Sequence, residues 1–292
     1  MTADQIPESG PFDSRDEVRA GSLALFLQKF HAYVVRGWVS WTTYRTDMTL
    51  HIIGWVLPVL TYFFIGQMIE PATAPLIQPY GDYKHFMLVG VAFQGFIQSA
   101  FTTFTHVIRN EQRWGTLEFM LLSPTRIGTV LVLSGTWSFV LNSVNTIIVL
   151  LVGTFLLGIT YPDANLLSAV VILFLVVLAS MGVGMISAGV IMVAKRGDPV
   201  AFFFNSLTYL LAGVLFPITI LPQFVRYLSY AIPLTHGLRG LRLALIQGSD
   251  LAELTPEIGI LLLFCVLLIP IGLWCFSLGF NRARKDGSLA HY

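Results

Sequence analysis

Residues 165–194 read NLLSAVVILFLVVLASMGVGMISAGVIMVA, a run without a single Asp, Glu, Lys or Arg. About 20 apolar residues in a helix already cross the hydrocarbon core of a bilayer. This stretch exceeds that length, which leaves room for tilt or for projection beyond the membrane. Within it Ser180, Gly184 and Ala188 recur every fourth residue. That spacing predicts a small-residue ridge on which another helix packs closely.

The same pattern extends outward in both directions. Apolar stretches cover approximately 48–69, 84–108 and 127–159 upstream, and 199–220 and 256–280 downstream. The sequence therefore predicts an all-α polytopic membrane protein with six transmembrane helices. Bulk composition agrees: of 292 residues, 55% are hydrophobic and 11% charged, with a mean hydropathy of +0.74. Soluble domains carry about 25% charged residues. The net charge of +1 says nothing about partners, and no basic run suggests nucleic acid.

Domain organisation follows from the segments between. Residues 1–20 are polar with no apolar core of a signal peptide, and are expected to be a disordered cytoplasmic tail. Over 21–46, Leu23, Phe26, Leu27, Phe30, Val34, Trp38, Trp41 and Tyr44 recur at steps of three or four. They predict an amphipathic helix lying in the membrane interface, with a soluble surface helix as the alternative. The six-span domain is expected over 47–281, and 282–292 form a C-terminal tail. Thirteen of the 17 Lys and Arg fall on one side of this topology, which predicts that both termini are cytoplasmic.

Three of the remaining four cations, Arg226, Arg239 and Arg242, lie in one outer segment of about 221–247. Pro222 and Pro233 each suit the first turn of a helix. The pieces between are too short to cross, so two short helices that dip into the outer leaflet and return are expected. The arginines should face protein or headgroups, because charge in hydrocarbon is costly.

Candidate chemistry is sparse. The only lysines are Lys29, Lys84, Lys195 and Lys285; none follows Gly and none precedes Ser or Thr. The chain thus has no Gly-Lys-Ser/Thr phosphate cradle and no Walker-type ATP site. The six histidines show no metal-ligand spacing, and Cys265 and Cys275 are about 15 Å apart along one helix, too far to bridge. Polar stripes occur at membrane depth: Gln94, Gln98, Thr102 and Thr105; Ser134, Ser138, Asn142 and Asn145; and Asn205 with Thr208. Such stripes line a translocation path or hydrogen-bond neighbouring helices, and periodicity alone does not choose between them.

After the second stretch comes Arg109-Asn110-Glu111-Gln112-Arg113-Trp114-Gly115-Thr116-Leu117-Glu118-Phe119-Met120-Leu121-Leu122-Ser123-Pro124. By its charges alone this is either a solvated loop with internal ion pairs or a surface that pairs with a soluble partner. It resembles the Glu-Arg-Glu-x-Gly-Thr-Leu-Glu region of the ABC type-2 permease superfamily. The stretch from Phe216-Pro217 through Pro222, followed by Ile232-Pro233-Leu234-Thr235 and Leu238-Arg239, resembles that superfamily's outer signature.

The resemblance implies a permease subunit of an ATP-driven exporter, paired with a second permease subunit and with a cytoplasmic ABC ATPase subunit. ATP and Mg would be bound there, and this chain would carry no cofactor and catalyse no hydrolysis. It implies a coupling helix between spans 2 and 3, at about 109–124, with the docking role on Glu111, Arg113, Gly115, Thr116 and Glu118. It also implies the outer re-entrant role for Pro217, Pro222, Pro233 and Arg239. Gln94, Gln98, Thr102, Asn142, Asn145, Asn205 and Thr208 are the candidate path residues.

Superfamily members export hydrophobic drugs, lipids or lipid-linked polysaccharides. The entry Thr43-Tyr44-Arg45-Thr46-Asp47-Met48 and the short outer loop at about 70–83 favour the drug and lipid branch over polysaccharide export. Rival readings are an ATPase-independent secondary transporter and a membrane scaffold.

Overall fold

The computed structural model describes residues 22–68, 82–114, 127–194 and 198–285. Among them are nine α-helices and no strand: α1 (Ser22–Thr43), α2 (Arg45–Met68), α3 (Tyr83–Trp114), α4 (Ile127–Leu157), α5 (Leu166–Ala194), α6 (Pro199–Leu211), α7 (Gln223–Tyr230), α8 (Pro233–Ile246) and α9 (Thr255–Lys285). A short 3₁₀ turn spans Ile218–Ile220. The expected tail at 1–20, the loop from 69 to 81 and residues 286–292 lie outside the described residues.

Five of these helices, α2, α3, α4, α5 and α9, are long and apolar enough to cross a membrane. They coincide with five of the six expected spans. The stretch at 199–220 behaves differently. Its helix α6 has 13 residues, about 20 Å, against a hydrocarbon thickness of about 30 Å. Two residues stop it. Gly213 adopts φ +77°, a left-handed conformation that ends a helix, and Pro217 holds an extended backbone ahead of the 3₁₀ turn.

α3 and α5 form the centre. α3 contributes the largest buried side chains, among them Phe86, Met87, Ile97, Phe101, Phe104 and Ile108. At 32 residues it is about 48 Å long, well beyond the bilayer core. α4 packs along one side of α3, and α1 and α2 lie against α4. α5 takes α9 on its far side, in the most extensive helix pairing of the fold. Glycines set that closeness. A side chain at Gly189 would meet the Cys275 carbonyl at 2.6 Å, and one at Gly272 would meet the Gly182 carbonyl at 2.5 Å. The expected ridge on α5 is buried too: Ser180 and Ala188 are inaccessible, and Gly184 lies against the Ala100 carbonyl of α3.

The segment at about 221–247 forms two short helices. Pro222 directly precedes α7 and Pro233 occupies the first turn of α8. α8 is almost wholly buried and packs on α5, α9 and α3. Each arginine there engages protein. Arg226 donates to the carbonyls of Thr219 and Leu221, the latter at 3.1 Å. Arg239 pairs with Glu257 in the first turn of α9 at 3.2 Å. Arg242 is buried, with its guanidinium carbon 3.4 Å from the Phe86 ring centre, and donates to the carbonyls of Phe86 and Val214. Tyr161, in the turn between α4 and α5, stands edge-on to His85. Burial pushes its phenol above the ordinary tyrosine value, and the positive charge of Arg242 opposes that shift.

α1 and α2 are separated only by Tyr44, and the backbone amide of Met48 still bonds the Tyr44 carbonyl at 3.0 Å. On α1, Leu27, Phe30 and Trp38 are exposed. Trp41 stacks against Trp55 of α2. Both cysteines are free thiols, Cys265 buried beneath the Leu175 carbonyl.

Candidate functional site

A cavity of about 630 Å³ opens between α3 and α6. On α3, Gln94, Ile97, Gln98 and Phe101 reach it, a spacing of three, four and seven that places them on one helix face. On α6 the matching face is Phe202, Asn205, Ser206 and Tyr209, with Thr208 beside it. The lining contains amides, hydroxyls and aromatic or aliphatic carbon, and none of these nine side chains carries charge at neutral pH.

Two details bear on what the cavity can hold. Thr208 is 4% exposed and its hydroxyl has no protein hydrogen-bond partner. A buried hydroxyl left unpaired costs about 1–3 kcal/mol. A guest with a carbonyl or hydroxyl would recover that loss. The Tyr209 hydroxyl meets the Tyr62 hydroxyl of α2 at 2.6 Å, so one wall of the cavity is tied to the first long membrane helix.

The structure thus brings together Gln94, Gln98, Asn205 and Thr208 from two stripes more than 100 residues apart in sequence. The other path candidates sit elsewhere. Thr102 donates to the Gln98 carbonyl of its own helix at 3.0 Å. Asn142 donates to Ser99 of α3 and, at 2.7 Å, to the Ser138 carbonyl. Asn145 is buried in the same α3–α4 seam, where Gly95 leaves room for both amides. Thr146 closes that seam with a 2.7 Å bond to the Ala92 carbonyl. α3 therefore has polar contacts on two faces, one toward the cavity and one toward α4.

Of the docking candidates, Glu111 and Arg113 lie on the last turn of α3, the helix that also lines the cavity. Gly115, Thr116 and Glu118 lie outside the described residues. Pro217 begins the 3₁₀ turn, Pro222 and Pro233 start α7 and α8, and Arg239 pairs with Glu257 as described above.

The periodicity argument overlooked a third set of contacts. Thr105 of α3 bonds Ser187 of α5, which in turn bonds Asp198 at the start of α6. Asp198 stands next to the charged pair Lys195-Arg196, so by sequence it reads as an ordinary loop residue. Its signal was its position immediately before Pro199, the Asx-Pro start of a helix.

Comparison with known proteins gives one family. The model for the ABC-2 type transporter, a membrane domain, matches residues 28–246, three quarters of the chain. No curated protein matches the sequence. The matched region takes in α3, α6, α7 and α8, and so contains the whole cavity and the two short helices.

Proposed function

The chain belongs to the ABC-2 type transporter family, and on that premise we propose that it is the permease subunit of an exporter of hydrophobic or amphipathic small molecules or lipids. Membership makes it a multi-pass membrane component rather than an ATP-binding domain, and implies association with an ABC ATPase. ATP and Mg act on that partner. Two permease subunits face each other in the inner membrane, with both termini in the cytoplasm. α6 and the irregular chain after it make the sixth crossing.

One observation carries this reading: a single helix joins the cavity to the docking motif. Gln98 and Glu111 are both on α3, about 20 Å apart along its axis. A helix transmits a displacement at one end to the other without needing a hinge. Closure of the ATPase pair would push the Glu111 and Arg113 end, and the Gln94 and Gln98 face would be displaced with it. The cavity would then favour cargo in one state and release it in the other, with ATP supplying the bias.

The lining supports the cargo class. A volume of about 630 Å³ falls within the range of small-molecule sites, roughly 300–1,000 Å³. It would take one drug-sized amphipath or an acyl chain with its neutral linkage. Uncharged amides and hydroxyls would hold the polar end, and Phe101, Phe202 and Ile97 the apolar end.

The test is ATPase stimulation in proteoliposomes containing the permease and its ATPase. Neutral amphipaths or lipids should raise the rate above basal, and Gln98→Leu with Asn205→Leu should remove that rise while leaving assembly and basal turnover unchanged. Stimulation by glycan-linked lipid carriers, with none by amphipaths or lipids, would reverse the cargo assignment.

A further inference from the structure

A hydroxyl on a membrane helix ordinarily satisfies itself by bonding a carbonyl one turn back. Thr61, Thr102, Ser143 and Ser277 all do so here. Thr105 and Ser187 do not. Thr105 is 1% exposed and donates 3.4 Å across to Ser187, which is fully buried on α5. Ser187 donates to one carboxylate oxygen of Asp198. That same oxygen accepts the backbone N–H of Ala201 at 2.9 Å, capping the first turn of α6. Three helices meet through one carboxylate.

The position of this chain of bonds gives it a consequence. Thr105 lies on α3 between the cavity residues Gln98 and Phe101 and the last-turn residues Glu111 and Arg113. Asp198 fixes the end of α6 from which Phe202 and Asn205 enter the same cavity. We infer that Asp198 is a positioning residue: through Ser187 and Thr105 it bolts the start of α6 to α3, so that the two cavity walls shift as one body at their cytoplasmic end. This use of the bolt rests on the permease reading; its existence does not.

The experiment uses the full chain in nanodiscs, with Cys265 and Cys275 replaced by alanine and spin labels at His106→Cys on α3 and Phe203→Cys on α6. Both label positions are exposed. The parent should give one narrow distance distribution. Ser187→Ala and Thr105→Val leave the Asp198 cap intact, yet each should broaden the distribution, with displaced conformers rising about threefold for one interhelical bond. The double variant should broaden no further than either single, because both cut the same link.

Asp198→Ala should broaden it also, and Asp198→Asn, which keeps the acceptor oxygen, should restore the parent distribution. A melting temperature for each variant separates loss of the bolt from loss of the fold. If Ser187→Ala and Thr105→Val match the parent while Asp198→Ala does not, Asp198 only caps α6 and the inference fails.

A second arm adds the ATPase, trapped with ATP and vanadate. The α3–α6 distance should stay constant in the parent and change in Ser187→Ala. A parent that binds no ABC ATPase would sink the permease reading, while the nanodisc distances would still decide the bolt.

Discussion

Replacing Arg242 by methionine keeps the side-chain volume and removes the charge from the middle of α8. Among the contacts that go with it are bonds of 3.2 Å to the Phe86 carbonyl and 3.1 Å to the Val214 carbonyl, and the cation–π contact with the Phe86 ring. They are not equal in cost. Phe86 lies within α3, where its carbonyl keeps the helix's own bond. Val214 lies in the irregular chain after α6, and its carbonyl would lose a charged donor, at about 2 kcal/mol. A desolvated cation–π contact adds about 2 kcal/mol. Relief from burying a guanidinium offsets part of this, on the order of 1–2 kcal/mol. The net loss is roughly 2–3 kcal/mol, which lowers the melting temperature of a chain this size by about 3–5 °C.

Arg242→Lys should fare no better than the methionine variant. It keeps a buried charge and lacks the planar fork that reaches two carbonyls at once. The assay is intrinsic tryptophan fluorescence against temperature in nanodiscs. If both variants unfold within about 1 °C of the parent, Arg242 does not hold α8 to α3 and the 212–217 segment.

Three further outcomes follow from the packing. Gly189→Val should loosen α9 from α5 by about 1–3 kcal/mol, since the new side chain meets the backbone at Cys275 and that backbone cannot rotate away; thermal unfolding reads it, with Gly54→Ala, which meets nothing within 4 Å, as the neutral control. Tyr62→Phe should speed thiol labelling at Ser206→Cys, a position exposed on the cavity face of α6, because the hydroxyl tie between α2 and α6 is gone; an unchanged rate would show that the tie does not restrain the cavity wall. Tyr161 has a raised pKa, so its contribution is complete below the unfolded value of about 10 and is lost as pH rises toward the folded one. Stability should therefore fall as pH rises above about 10, and Tyr161→Phe should flatten part of that slope in denaturation curves.

The membrane helices were legible in sequence because the bilayer demands long uncharged runs, and such runs can be counted. The fifth stretch was misread in length. Its apolar composition continues to Ile220, while Gly213 and Pro217 end the helix at Leu211 by backbone geometry that hydropathy does not register. The two short helices α7 and α8 were legible from Pro222 and Pro233, whose fixed φ marks a helix start.

The polar stripes were visible but their partners were not. Gln94 and Asn142 look alike by spacing, yet one faces the cavity and the other is hydrogen-bonded to Ser99 on the next helix. Only tertiary placement of α6 and α4 around α3 separates them. The glycine pairs across α5 and α9 were detectable in principle. Gly182 and Gly189 on one helix, and Gly272 and Gly279 on the other, share a seven-residue spacing and meet in register.

The central claim is that an ABC ATPase engages the chain at the end of α3 and drives the cavity above it. Charge reversal tests it most directly. The permease carrying Glu118→Arg with Arg113→Glu is purified by tag from cells that co-express the ATPase, and both retained ATPase and cargo-stimulated hydrolysis are measured. The account expects the variant to lose the ATPase, or to keep it with hydrolysis that no longer responds to cargo, while the permease itself stays folded. Full retention with an unchanged response would contradict it.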